Sequence, residues 1–303
     1  MHKGSTLRLQ IPNAENSDKY FSFRLKTEVV NERASYPAPS KMLLLSDIEG
    51  NFLAFRQLLI KNKVIDRKHN WIYGDGHLVV VGDCFDRGEQ VVECLWLIYS
   101  LEENSKRAGG YVHFILGNHE IMNLNSDWRY IHPKYAKAVN DKSAVTALYD
   151  GNNTLWKWLI SKNIIEKIGD ILVVHGGISP EMNLVEYSVE EINRLARPYY
   201  VFGDQDFEDR FLQLVFNSDQ SPFWYRGYYK GTANEAQVDE TLAHFGVRTI
   251  VTGHTIVNSI GTYFDGKVVN INTNHAVGNS EALLIKGHHF YKVNSEGKRV
   301  RLK

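Results

Sequence analysis

The stretch His77-Leu-Val-Val-Val-Gly-Asp-Cys-Phe-Asp-Arg-Gly88 decides the fold. Leu78–Val81 is aliphatic without a polar break, the pattern of a short strand buried on both faces. Beyond Val81 the chain turns abruptly polar, with Gly82 and Gly88 permitting a tight loop around two acids and an arginine. The same change recurs along the chain. Met42–Leu45 runs into Ser-Asp-Ile-Glu-Gly-Asn, Tyr111–Leu116 into Gly-Asn-His-Glu, Ile171–Val174 into His-Gly-Gly, and Thr249–Val251 into Thr-Gly-His-Thr.

Helical patterns lie between these runs. Asn51–Asn62 places Phe52, Phe55, Leu58 and Leu59 on one face, and Glu89–Lys106 ends at Gly109-Gly110, a C-cap signal. Ser188 with Glu191, and Thr232 with Glu235, have capping-box spacing. Asp75-Gly76 reads as a hairpin turn between Trp71–Tyr73 and His77–Val81. Asp265-Gly266, Lys286-Gly287 and Glu296-Gly297 punctuate alternating segments, the signature of an antiparallel meander. Strands alternating with helices before a β-rich end predict an α/β fold with helices outside the sheets. Ligands in such folds bind beyond the carboxyl ends of strands, where all five polar clusters fall.

Composition narrows the class. The chain has 303 residues, 43% hydrophobic and 23% charged, with 35 basic residues balancing 35 acidic ones. That balance gives no support to a nucleic-acid or membrane-surface binder. Two cysteines, Cys84 and Cys94, exclude a disulfide framework, and Cys84 is read as a variable loop position rather than a reactive thiol. No apolar run reaches the ~20 residues of a membrane span, and none of signal-peptide length opens the chain. A soluble, reduced, cytoplasmic protein is expected. Residues 1–40 are more polar and read as an N-terminal arm or edge hairpin, with the main domain over 41–303.

The strand ends together offer Asp47 and Glu49, Asp83, Asp86 and Arg87, Asn118 and His119, His175, and His254. Singly, Asp47 could cap a helix and His175 could be a turn residue. Collected at one sheet edge, such acids would repel one another unless cations compensated them. Carboxylates, an amide oxygen and imidazoles are the donor set of a pair of divalent first-row metals.

These residues resemble the calcineurin-like metallophosphoesterases. Gly82-Asp-Cys-Phe-Asp-Arg-Gly88, Gly117-Asn-His-Glu120, His175-Gly-Gly177 and Gly253-His-Thr255 are similar to the GDxxDRG, GNHE, HGG and GH motifs of the phosphoprotein phosphatase branch. Ser221-Pro-Phe-Trp-Tyr-Arg-Gly227 resembles a segment of the bacterial and plant Shewanella-like phosphatases. The resemblance spans about residues 42–285. It implies a four-layer αββα sandwich of two mixed sheets flanked by helices, with a helical lid insertion formed by segments near 121–164 and 179–225.

It also implies roles. Asp47 and Asp83 would hold the first metal, Asp83 bridging to a second held with Asn118, His175 and His254. His119 would be the general acid, oriented by Asp86, while Arg87 and Arg226 grip phosphate oxygens. A metal-bound hydroxide would attack the phosphomonoester directly. One departure from the family is Glu49, where a histidine is usual. A third acid makes a harder site, favouring manganese, with iron, magnesium or zinc as alternatives. After Val268–Asn272 comes Asn-Thr-Asn-His where relatives often carry an Asp-Thr-Gly-like turn, so Asn272 and His275 are expected in supporting or loop roles.

Both lid segments are aromatic. Trp128, Tyr130 and Tyr135 in the first, and Tyr199, Tyr200, Phe202 and Phe207 in the second, mostly suit a small lid core, whereas Trp224 and Tyr225 beside Arg226 are expected at the substrate edge. The leading expectation is a phosphatase of phosphoproteins, leaning towards phosphotyrosine. A dinucleoside polyphosphate or other small phosphate ester is the second possibility, and a non-catalytic phosphate-binding scaffold the third. Oligomeric state is left open.

Overall fold

The computed structural model describes residues 6–10, 20–140, 153–202 and 205–302. Parts of the expected arm and of both lid segments lie outside the described residues.

Fourteen strands are present among the described residues. In chain order they are β1 (Thr6–Gln10), β2 (Tyr20–Arg24), β3 (Ser35–Tyr36), β4 (Lys41–Leu45), β5 (His77–Val81), β6 (Tyr111–Ile115), β7 (Ile165–Ile168), β8 (Ile171–Val174), β9 (Thr249–Thr252), β10 (Gly261–Tyr263), β11 (Val268–Asn270), β12 (Glu281–Lys286), β13 (His289–Asn294) and β14 (Arg299–Arg301). They form two six-stranded mixed sheets, ordered β10-β11-β9-β8-β7-β3 and β14-β13-β12-β4-β5-β6, beside the separate ribbon β1-β2. Strands β4, β5 and β6 run parallel, β6 at the sheet edge, as do β8, β9 and β11.

The aliphatic runs are continuous because both strand faces are buried. Met42, Leu44, Val79 and Val81 from one sheet meet Ile171, Val173, Val251 and Val269 from the other, making an inter-sheet core. The alternate residues Leu43, Leu45, Leu78, Val80, Leu172 and Val174 pack outward in a second, larger core. On one side this core takes in Phe52, Phe55, Leu58 and Leu59 of helix α1 (Phe52–Lys61) and Leu97, Ile98 and Leu101 of helix α2 (Val91–Arg107). On the other it takes in Val238 and Phe245 of the helix Glu235–Phe245. Helix, sheet, sheet, helix is therefore the layer order, and it follows from period-two alternation in strands buried on both faces.

The N-terminal ribbon packs on α1 and α2. Phe21, Phe23 and Leu25 are buried, and Phe23 stacks on Trp96 at 4.8 Å between ring centroids. Lys26 and Glu32 reach a buried ion-pair cluster with Glu102 and Lys162, whose members also bind the Trp158 indole and the Tyr111 hydroxyl.

Two local expectations are corrected. Trp71–Tyr73 forms no hairpin with β5: Trp71 bridges Ile65 instead, and both edges of β5 are taken by the parallel neighbours β4 and β6. Asp75-Gly76 is a turn that delivers the chain into β5. The helix beginning at Glu235 is capped by Asn234, whose side chain accepts from the Gln237 amide, and not by Thr232. The Ser188–Glu191 capping box forms. The C-terminal meander is β12-β13-β14, antiparallel throughout.

Candidate metal centre and phosphate site

Five loops meet at the carboxyl ends of β4, β5, β6, β8 and β9. Backbone hydrogen bonds tie them edge to edge. Asp47 donates to the Gly82 carbonyl at 3.0 Å, Glu49 to Asp83 at 2.9 Å and Gly50 to Cys84 at 3.0 Å, so the first two loops are zipped together. Gly253 donates to the His175 carbonyl at 2.8 Å. The His254 amide crosses to the other sheet, donating to Asp47 Oδ2 at 3.0 Å.

The backbone pays for this convergence. Asp47, Glu49, Asp83, Asp86, Arg87 and His254 all have left-handed φ, between 46° and 67°. Such a conformation is uncommon for residues other than glycine, and its concentration here marks strained loops held by their surroundings. Close packing explains two of the glycines. A Cβ on Gly117 would lie 2.3 Å from Asp83 Oδ1, and one on Gly253 2.6 Å from Asp47 Oδ2.

Asp83, His175 and His254 each present one ligand-type atom within 4.8 Å of the others, as do Glu49, Asp83 and His119. Asp83 belongs to both groups. His175 Nδ1 lies 2.8 Å from the Val81 carbonyl and so carries the proton that it donates there. Its Nε2 faces Asp83 Oδ2 at 3.0 Å and Asn118 Oδ1 at 3.1 Å. Nitrogen and oxygens so placed are held together either by a proton on Nε2 or by a metal cation that replaces it. His254 Nε2 is buried and has no hydrogen-bond partner among the described residues. The donor set therefore fits divalent metal, with the His175–Val81 bond in the orienting role that ligating imidazoles commonly show.

The charges are strongly coupled. Burial pushes Asp47 up, to about 6, helped by neighbouring Asp83. Burial also acts to raise Asp83, but the surrounding histidines, His175 first, hold it well below the usual carboxylate range. In the protein without metal, His175 is up at about 9, because Asp83 outweighs the effect of burial. Burial with repulsion from His175 drives His254 down to about 2, so it is neutral and free to ligate.

His119 stands at the start of the short helix α3 (Asn118–Leu124). Its Nδ1 is 2.6 Å from Asp86 Oδ2, and Asn123 Nδ2 donates to Asp86 Oδ1 at 3.0 Å. Burial works against the imidazolium, but Asp83 and Asp86 together raise the His119 pKa. Glu120, beside it, accepts from the backbone amides of Gly117, Asp83, Cys84 and Phe85 at 2.7 to 3.3 Å.

A cleft of about 500 Å³ opens on this cluster, lined by Arg87 and Arg226 as well as Asp47, Asp83, His119 and His254. Arg226 Nη1 donates to the His254 carbonyl at 3.1 Å and to Thr255 Oγ1 at 3.3 Å, which fixes it at the rim. Arg87 forms an ion pair with Glu49. Trp224 reaches the cleft, its indole edge-on to His254 at 5.4 Å.

Tyr225 does not. It is 3% exposed, donates to Gln237 Oε1 at 3.1 Å and packs on Tyr228, on the inner side of the turn that carries Trp224 and Arg226. Tyr199, Phe207, Phe216 and Phe223 pack in series through edge-on and tilted contacts as a small lid core. Asn272 and His275 both line the cleft, and His275 bridges the Ser46 carbonyl and Ser280 Oγ, steadying the loop that carries Asp47. Cys84 and Cys94 are buried thiols whose pKa burial raises, which suits packing and not reactivity.

Sequence reasoning assigns no role to Glu120 or Asn123 and leaves Tyr130 among the lid aromatics. Glu120 stands within a motif already assigned. The signal for Asn123 is its place one helical turn after His119.

Two mixed sheets that offer carboxylates, imidazoles and arginines at one end define a metal-dependent phosphoesterase. The model of the calcineurin-like phosphoesterase family matches residues 40–258, and the chain belongs to that family. It is similar to a solved structure of a cold-active protein-tyrosine phosphatase from a Shewanella species, with 36% identity and a TM-score of 0.85 over 93% of this chain and 86% of that one. It is also similar to Shewanella-like protein phosphatase 2 of Arabidopsis thaliana, 24% identical over 85% of this chain and 76% of the relative. Shewanella-like protein phosphatase 1 of Plasmodium berghei is 24% identical over 82% and 71%. The protein is a phosphatase, a hydrolase of phosphate esters. No helix among the described residues is long and apolar enough to cross a membrane.

Proposed function

We propose that the chain is a phosphomonoesterase acting on phosphoproteins, preferentially at phosphotyrosine, with a pair of divalent ions, manganese foremost, in the cluster around Asp83. The observation that carries this reading is the joint position of the two ligand-type groups that share Asp83, the Asp86–His119 pair and two arginines in one cleft. The preference for phosphotyrosine is supported by the likeness to the cold-active protein-tyrosine phosphatase.

Asp47, Glu49 and Asp83 would hold one ion, and Asp83, Asn118, His175 and His254 the other. When bound, such a pair supplies Lewis acidity and an activated water for in-line displacement. The protein does the rest. Arg87 and Arg226 orient the phosphate through planar guanidinium forks. The Asp86–His119 hydrogen bond holds the imidazolium with Nδ1 engaged and Nε2 turned to the site, ready to protonate the leaving oxygen. Positioned acid catalysis of this kind contributes ~10²–10⁴-fold.

The test is hydrolysis of p-nitrophenyl phosphate by chelator-stripped protein with manganese, magnesium, zinc and iron returned separately, beside His119→Asn and Asp83→Asn. Metal-restored turnover in the wild type that both variants lose supports the reading. Phosphate binding without turnover under any metal sinks it.

A further inference from the structure

We infer that Tyr130 is the specificity-determining wall for the leaving group and selects aryl over alkyl phosphates; this rests on the reading of His119 as general acid. Tyr130 is 43% exposed and belongs to neither hydrophobic core. Among the described residues, it and Ile256 are the large exposed apolar side chains that line the cleft. Folding does not explain an aromatic ring left at that place.

Its neighbours say what it faces. The ring lies 5.3 Å from the His119 ring at 60°, an edge-on contact. The Arg87 guanidinium sits over it at 5.5 Å from the centroid, and the Tyr130 carbonyl accepts from the Arg87 amide at 2.9 Å. Arg129 covers it from outside at 5.7 Å. Trp224, the other aromatic of the cleft, stands against His254 instead. The two rings therefore mark different ends of the reacting phosphate. The leaving oxygen must meet His119 to be protonated, so the group attached to it emerges beside Tyr130.

A phenyl ring there finds a π-surface already held in place by two guanidinium groups, and a serine side chain is too short to cover it. Aromatic pairing of this kind is worth roughly two- to ten-fold in an equilibrium or rate. Any effect of the ring passed through His119 or Arg87 falls on every phosphate ester alike, so a change in the ratio belongs to the identity of the leaving group.

The experiment compares kcat/KM for two peptides of one sequence, carrying phosphotyrosine or phosphoserine, in wild type, Tyr130→Phe, Tyr130→Leu and Tyr130→Ala. The phosphotyrosine-to-phosphoserine ratio should fall roughly two- to ten-fold in the Leu and Ala variants and return in the Phe variant. Calorimetric binding of phenylphosphonate against methylphosphonate should give the same ranking without turnover. An equal loss on both peptides, with weaker inhibition by inorganic phosphate, would mean that Tyr130 only braces Arg87 and overturns the inference. An unchanged ratio overturns it as well. A wild type that hydrolyses neither peptide under any metal overturns the reading of the site itself.

Discussion

Glu49 and Arg87 form an ion pair at the mouth of the cleft, each from a left-handed backbone position. The acid that stands where relatives commonly have a histidine thus touches the arginine assigned to the phosphate. Glu49 also lies within ligand distance of Asp83 and His119, so arginine and metal compete for one carboxylate. A phosphate held by Arg87, as proposed above, would compete with Glu49 for the guanidinium. With Arg87 half exposed, solvent screening limits the pair to about 1 kcal/mol. Glu49→Gln, assayed at saturating manganese, should therefore tighten competitive inhibition by inorganic phosphate by up to about five-fold. Inhibition that weakens instead would place Glu49 on the side of the metal alone.

The Asp86–His119 pair predicts a pH signature. If His119 is the acid proposed above, activity is present below its pKa and lost as pH rises through it. Asp86 helps to raise that pKa. Asp86→Asn should move the alkaline limb of kcat to lower pH and reduce kcat by ~10²-fold on alkyl phosphates. The loss should be smaller on 2,4-dinitrophenyl phosphate, whose leaving group needs no proton. Equal losses on both substrates would show that Asp86 supports the loop and not the acid.

Metal removal should make stability depend on pH in the alkaline range. In the protein without metal, His175 is raised to about 9 by Asp83. A raised pKa means that the folded state holds a proton the unfolded chain releases near 6.5, so the stabilisation is full below that pH. It is lost as pH climbs through 9, with a total on the order of 3 kcal/mol. Chelated protein should show a falling Tm between pH 6.5 and 9, whereas metal-loaded protein should hold its Tm, since the cation replaces the proton. Asp83→Asn should flatten the slope in chelated protein, and a slope that survives would place the responsible group elsewhere.

The parts of this molecule legible in sequence were those governed by short-range pattern. Leu78–Val81 and Ile171–Val174 announce doubly buried strands because every position faces a core, and the loop after each must then carry the polar residues. What pattern could not give was the pairing between distant loops. Trp71–Tyr73 has the turn and alternation of a hairpin, yet two parallel partners occupy β5 before it can pair. Tyr225 adjoins Arg226 in sequence but turns inward, whereas Tyr130, nearly a hundred residues away, stands beside His119. The Glu49–Arg87 contact likewise depends on the zipping of two loops that only the folded sheet brings together.

Glu120 is the clearest case of a side chain whose work shows only in the folded chain. Its two oxygens accept four backbone amides, from Gly117, Asp83, Cys84 and Phe85, and it is fully buried. Three of those amides belong to the strained loop that carries Asp83 and Asp86. A carboxylate is needed there because only a group with two acceptor oxygens can satisfy all four donors. Glutamine would offer one oxygen and point its NH₂ at amide hydrogens, leaving buried N–H groups unpaired at ~1–3 kcal/mol each. Glu120→Gln should lower unfolding free energy by about 3 kcal/mol or more and weaken metal retention at the same time. Glu120→Asp keeps both oxygens but falls short by one methylene, so it should recover part of the stability and less of the metal affinity. Denaturant melts and competitive chelator titration of the two variants read these quantities separately. If both variants lost metal affinity with stability unchanged, Glu120 would be acting on the site directly and not through the loop.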